Sequence, residues 1–184
     1  MSPRVTLRPM TDADMPVLEL TRTDPTEASR FGFYGFRANE DVRRSFAENG
    51  LLREDGGLLA IDVEGEAVGT VGWHRVATAP NSFTWNIGIG LLSSARGRGY
   101  GTQAQRALVR YLLGYTQAHR IEACTESDNY AEQRSLEKAG FTREGVVRGA
   151  AFRAGRWRDM VLYSVLRTDI PDLDLDVDQP DSAA

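Results

Sequence analysis

The segment Arg96-Gly97-Arg98-Gly99-Tyr100-Gly101-Thr102 brings two guanidinium groups and three alternating glycines together in the middle of the chain. Glycine admits positive φ and keeps side chains away from an approaching ligand. Just downstream, Ala104, Ala107, Leu108, Tyr111, Leu112 and Tyr115 recur at intervals of three and four, so a helix begins where the glycines end. The first N–H groups of a helix lack intrahelical acceptors, and the dipole is positive at that end. The expected guest is an anion, a phosphate above all.

Two familiar phosphate turns do not fit. No Lys follows Gly101, as a nucleotide P-loop requires. Thr102 stands where the third glycine of a dinucleotide fingerprint belongs. A glycine-rich turn with no ligand is the structural alternative.

Positioning this turn requires a strand before it and a helix after it. Phe83–Leu92 supplies the strand, the last of three antiparallel ones: Leu58–Val63, then Ala67–Val76 across a Glu64-Gly65 turn, then Phe83–Leu92 beyond a turn with Pro80 and Asn81. Upstream, Val5–Arg8 alternates as a strand, and Thr11 to Asp14 has the pattern of an N-cap before Met15, Leu18 and Leu20. Asn39 similarly precedes a short helix carrying Val42, Phe46 and Ala47 that ends near Gly50. Between these helices, Phe31, Phe33, Tyr34 and Phe36 crowd an irregular stretch. They either line a substrate pocket or fold back on the core.

After the long helix come a strand at Ile121–Thr125 and a helix from Asn129 to Ala139 closed by Gly140. Such a strand-helix-strand unit is a right-handed crossover with parallel strands. A hairpin follows, Thr142–Phe152 and Trp157–Leu166 around Ala154-Gly155.

The 184 residues are 41% hydrophobic and 26% charged, enough for one substantial core. We read residues 1–168 as one domain and 169–184 as an acidic, flexible tail, where Leu173, Leu175 and Val177 alternate with aspartates. A net charge of −4 argues against coating nucleic acid. The single cysteine, Cys124, excludes an internal disulfide, and two histidines argue against a metal site. The N-terminus lacks an apolar leader and no long apolar run exists, so a cytoplasmic protein without a membrane segment is expected.

The glycine turn resembles the Arg/Gln-x-x-Gly-x-Gly/Ala pyrophosphate loop of the GCN5-related N-acetyltransferases (GNAT). The order of elements is similar to theirs. Asn129-x-x-Glu132-x-Arg134-Ser135-Leu136-Glu137-Lys138-Ala139-Gly140-Phe141 resembles the signature of the RimJ/RimL-like branch, which acetylates ribosomal-protein N-termini. The resemblance covers about residues 5–167. It implies an α/β (α+β) GNAT fold, a mixed sheet of about seven strands and about four helices, with a splayed strand pair forming a coenzyme A cleft. It further implies acetyl-CoA as acyl donor, a primary amine on a protein N-terminus, small metabolite or antibiotic as acceptor, no metal, and a homodimer in many relatives.

By the same resemblance, main-chain groups of Ile89 and Leu91 meet the pantetheine arm, amides from Arg96 to Thr102 hold the pyrophosphate, Asn129 contacts the pantetheine, and Arg134 lies near the nucleotide. Phe31, Phe33, Tyr34 and Trp85 would face the acceptor. The reaction it implies is direct attack of an amine on a thioester. That needs a base, an oxyanion donor and a proton for the departing thiolate. Glu126, Asp128 and Asp159 are the carboxylate candidates, and the N–H of Leu91 is the oxyanion donor.

One departure stands out. Glu132 occupies the family's Ser position, a plausible acid. An ionised glutamate cannot donate unless burial raises its pKa. The Asn129–Glu132 spacing fits a capping box in which Glu132 reaches back to the N-cap N–H, leaving Tyr130 as the nearest hydroxyl donor. Transfer of another acyl group such as succinyl, or an acyl-CoA-binding module without catalysis, are the alternatives.

Overall fold

The computed structural model describes residues 3–170. Eight strands form one sheet: β1 (Val5–Pro9), β2 (Leu52–Arg53), β3 (Gly56–Val63), β4 (Glu66–Ala79), β5 (Ser82–Leu91), β6 (Arg120–Glu126), β7 (Thr142–Arg153) and β8 (Arg156–Leu166). The helices are α1 (Met15–Thr23), α2 (Ser29–Gly32), α3 (Glu40–Asn49), α4 (Tyr100–Tyr115) and α5 (Tyr130–Ala139). The sheet runs β1-β3-β4-β5-β6-β8-β7, with β2 appended to β3. All neighbours are antiparallel except β5 and β6.

Two-residue turns set the hairpin registers. Glu64 and Gly65 have φ of 56° and 90°, and Ala154 and Gly155 have 49° and 75°, the left-handed pairs whose twist matches that of adjoining strands. The expected strands and helices therefore stand where their periodicity put them. The additions are short pieces with no period to read, β2 and α2.

The alternation of strand residues divides the apolar side chains between two layers. Leu59, Ile61, Val71, Ile87, Ile121 and Val161 point to the α4–α5 side, meeting Leu108, Leu112 and Leu136 in the main core. Ala60 points the other way, to a smaller cluster with Met15 and Leu18 of α1 and Val42 of α3. Leu112 is fully buried, so its truncation to Ala would cost about 2–5 kcal/mol.

Arg167–Asp169 forms a 3-10 turn, and Ile170 packs against the main core. The rest of the tail, with Leu173, Leu175 and Val177, lies outside the described residues. Asn39 precedes α3 but makes no side-chain cap. Its Oδ1 is buried without a hydrogen-bond partner among the described residues.

Candidate functional site

Parallel pairing of β5 with β6 extends only over Trp85–Ile121, Asn86–Glu122 and Ile87–Ala123. Beyond that point the strands part. Gly88 to Leu91 stay with β4, and Cys124 to Glu126 stay with β8. Leu92 N donates to Val68 O at 3.0 Å. By the alternation of an antiparallel ladder, the N–H and C=O groups of Leu91 and Ile89 then face the split. Arg96 Nε donates to the Leu91 carbonyl at 3.0 Å, leaving the Leu91 N–H toward the opening.

The head of α4 lies beside this split. Gly99, its N-cap residue, has φ 82° and ψ 1°, and no side chain caps the helix. Gly97 has φ 73°, and a Cβ on either glycine would meet nothing within 4 Å. The first intrahelical acceptor is Gly99 O, taken by Gln103 N at 3.2 Å. Earlier amides of the turn thus line an open concavity suited to a diphosphate.

Thr102, Gln105 and Glu132 extend one polar wall between α4 and α5. Thr102 Oγ1 lies 3.0 Å from Ser135 Oγ, Ser135 Oγ donates to Gln105 Oε1 at 2.9 Å, and Gln105 Nε2 donates to Glu132 Oε1. Glu132 therefore departs from the expected box. Its N–H donates to Asn129 Oδ1 at 3.4 Å, but its carboxylate turns to Gln105 rather than back to the N-cap. Burial pushes its pKa above the ordinary carboxylate value, and the Gln105 bond only partly opposes this.

The split opens into a cleft of about 1070 Å³, larger than one drug-sized ligand needs. Its floor is Thr70, Gly72 and His74 of β4 facing Asn86, Gly88 and Gly90 of β5. Its cover is the α1–α2 segment, tied down at the glycine-turn end. Glu27 accepts from Ser93 N at 2.6 Å and from Ser93 Oγ at 2.8 Å. Arg96 also donates to the carbonyls of Thr26 and Glu27. Arg96 is thus a clasp whose side chain is already committed.

Of the expected residues, Ile89, Leu91, Arg96, Gly97, Gly99, Gly101, Thr102, Asn129 and Arg134 line the cleft. Tyr100 is a core residue, 5% exposed, and Arg98 is exposed on the turn without lining the cleft. Asn129 is held at both ends, its Nδ2 donating to Thr125 Oγ1 at 2.9 Å.

On the acceptor side, Phe31 and Tyr34 line the cleft, with Arg30 stacked 4.4 Å over the Phe31 ring. Phe33 packs edge-on against Phe36 instead. Trp85 must be corrected. It points to the α4 side, 4% exposed, and its Nε1 donates to Thr116 Oγ1 at 3.0 Å, because odd-numbered β5 residues face the main core.

The titratable candidates separate. Glu126 is 2% exposed and accepts from Arg153 Nε and, at 2.7 Å, from Nη2, so both its oxygens are held by one guanidinium. Asp128 lies off the cleft, 3.7 Å from Arg30. Asp159 accepts from Gly149 N at 2.8 Å, staying in the β7–β8 hairpin. Tyr130 is 64% exposed and does not line the cleft. Cys124 is exposed and lines the cleft, just past the last β5–β6 pair. His74 lines the floor, and His119 is exposed beyond the end of α4. Glu132 is the cleft carboxyl that sequence reasoning set aside. The signal was its place one turn into α5, facing α4.

Among the described residues, no group of three or more His, Cys, Asp or Glu side chains could hold a metal, and no helix is long and apolar enough to cross a membrane.

The model of the acetyltransferase (GNAT) domain matches residues 4–142. Among curated relatives, the chain is 37% identical over 83 residues to "Probable N-acetyltransferase YjcK" of Bacillus subtilis, covering 45% of this chain and 46% of that protein. The match therefore spans about half the relative's length. Among solved structures, the Mycobacterium smegmatis RimJ in complex with CoA-disulfide superposes with a TM-score of 0.73 at 24% identity, over 91% of this chain and 84% of that one. A ribosomal-protein-alanine N-acetyltransferase from Brucella melitensis gives 0.74 at 21% identity, over 88% and 99%. At such identities the likeness is one of fold.

Proposed function

The chain belongs to the GNAT acetyltransferase domain family, and from that membership we propose that it transfers an acetyl group from acetyl-CoA to a primary amine, with a protein N-terminus as the favoured acceptor. The observation that carries this reading is the split between β5 and β6 with the uncapped head of α4 beside it. A strand-like arm can enter there and find a main-chain edge to pair with.

The open amides from residues 97 to 102 are suited to the diphosphate, and Asn129 and Arg134 on α5 flank the path beyond. When bound, the coenzyme supplies the acyl thioester. The N–H of Leu91 then serves as oxyanion donor, since it faces the split and its own carbonyl is held away by Arg96. Burial raises the pKa of Glu132, which makes it the carboxyl on the α5 wall suited to give a proton to a basic sulfur produced there. The α1–α2 cover, clasped by Arg96 and Glu27, lies over the same space.

The acceptor preference rests on the RimJ/RimL-like signature of α5 and on the ribosomal-protein acetyltransferase among the structural neighbours. The test is thiol release from acetyl-CoA against a panel of peptides and small amines. Release with peptides supports the reading. Release only with small amines moves the acceptor class, and release only from succinyl-CoA moves the acyl group. Coenzyme binding without release for any pair would indicate a binding module.

A further inference from the structure

The acceptor half of the cleft carries two arginines that nothing above uses. Arg22 lies in the last turn of α1, and Arg37 lies in the segment between α2 and α3. Both line the main cleft, and Arg22 also lines a smaller adjoining cavity of about 340 Å³ with Gly57, Leu58 and Trp73. Those neighbours place it over the β3–β4 side of the floor, one strand removed from the split. The site is therefore separate from the α4 head and its phosphate-holding amides.

Arg22 is held in an unusual state. Its Nε is shut off from solvent and has no hydrogen-bond acceptor among the described residues. Burial and the neighbouring Arg37 push its pKa below the ordinary arginine value, and only Asp41 opposes them. Asp41 is itself engaged by Arg44. The cleft's other acids are also committed, Glu126 to Arg153, Glu27 to Ser93 and Glu132 to Gln105. Neither Arg22 nor Arg37 forms an ion pair among the described residues. A half-buried guanidinium with an unmet donor, beside a second cation, is a hole shaped for an anion.

We propose that Arg22 and Arg37 form a subsite for a carboxylate carried by the acceptor, so that the protein selects amines bearing an acidic group near the reacting nitrogen. This rests on the acyltransferase reading above. A peptide N-terminus with Asp or Glu close behind it has that chemistry, and so does a free amino dicarboxylic acid. A planar carboxylate would pair with the two guanidinium groups where they line the cleft and relieve the repulsion between them.

The experiment compares kcat/KM for matched acceptors: a pentapeptide with Glu or Gln at its second position, and free glutamate against glutamine, on the full chain and on Arg22→Met and Arg37→Met. The wild type should favour the acidic member of at least one pair by about 10- to 100-fold, the range expected for a charge-assisted hydrogen bond. Which pair shows it identifies the source of the carboxylate. The ratio should fall to about threefold or less in either variant. Calorimetric titration with the same peptides provides a second readout, in which the acidic peptide should bind more tightly and lose that advantage in the variants. Arg37 is exposed, so its variant reports even if Arg22→Met folds poorly. Thiol release that is equal for acidic and neutral acceptors would overturn this inference and leave the acyltransferase reading intact. If no acceptor releases thiol, the acyltransferase reading fails, and calorimetry still decides the subsite: equal binding of the two peptides overturns it.

Discussion

Gln105 Nε2 donates a hydrogen bond to Oε1 of Glu132 across the interface of α4 and α5. Gln105 is 1% exposed, and with its Oε1 accepting from Ser135 Oγ its Nε2 donates toward the cleft, a bond that Glu132 can accept whether or not it is ionised. Burial then decides its charge, and burial favours the proton.

This sets a pH signature for Glu132→Gln. A carboxyl whose folded pKa exceeds its unfolded value of 4.5 binds more protons when folded, so stability falls as pH rises through the folded pKa. Glutamine does not titrate and keeps the acceptor oxygen. Calorimetric melting should show the variant gaining on wild type between pH 4 and pH 8, and a difference that stays flat would contradict the assignment. In thiol-release assays kcat should drop about 100-fold, as for the loss of a general acid.

Arg96 should act through its carbonyl partners, Leu91, Thr26 and Glu27. Arg96→Ala should cost about 1–3 kcal/mol in urea unfolding and weaken coenzyme affinity by loosening the cover. Arg96→Lys should recover little, because an ammonium cannot span acceptors in the planar fork of a guanidinium. Full rescue by Lys would mean that charge alone matters there.

Asp14 offers an acid-side test. It is 4% exposed, takes Arg8 Nη1 and Nη2 at 2.6 and 2.9 Å, and accepts from Thr11 N and Oγ1 at 2.8 and 2.7 Å. Chiefly because of the Arg8 bonds, its pKa lies below the ordinary 3.8. That contribution is present above pH 3.8 and is lost as pH falls toward the folded value. Asp14→Asn should destabilise by about 2–4 kcal/mol at neutral pH. The gap from wild type should narrow on acidification below pH 4, and a gap that is constant with pH would contradict it.

Much of this architecture could be read from residue order. The period of Ala104 to Tyr115 announced α4, the glycines before it announced the uncapped head, and the Asn129 signature announced α5. What could not be read was which way a side chain turns once two elements meet. Glu132 had the spacing to reach its own N-cap, yet Gln105, 27 residues away along the chain, offers it a buried donor. Glu126 looked like a free carboxylate until Arg153 closed on it from the far hairpin. Trp85 was misjudged because which face of β5 is covered by α4 is a tertiary fact without a local pattern. The unmet donor of Arg22 is likewise invisible without its neighbours.

The central claim is that the split and the head of α4 receive the coenzyme, and backbone amide exchange with and without coenzyme A tests it residue by residue. Amides bonded by a ligand exchange more slowly. The account predicts that coenzyme A slows exchange at Ile89 and Leu91 and across residues 97–102, and leaves β1 and β3 unchanged. Binding with no protection at those amides, or with protection confined to another face of the sheet, would contradict it.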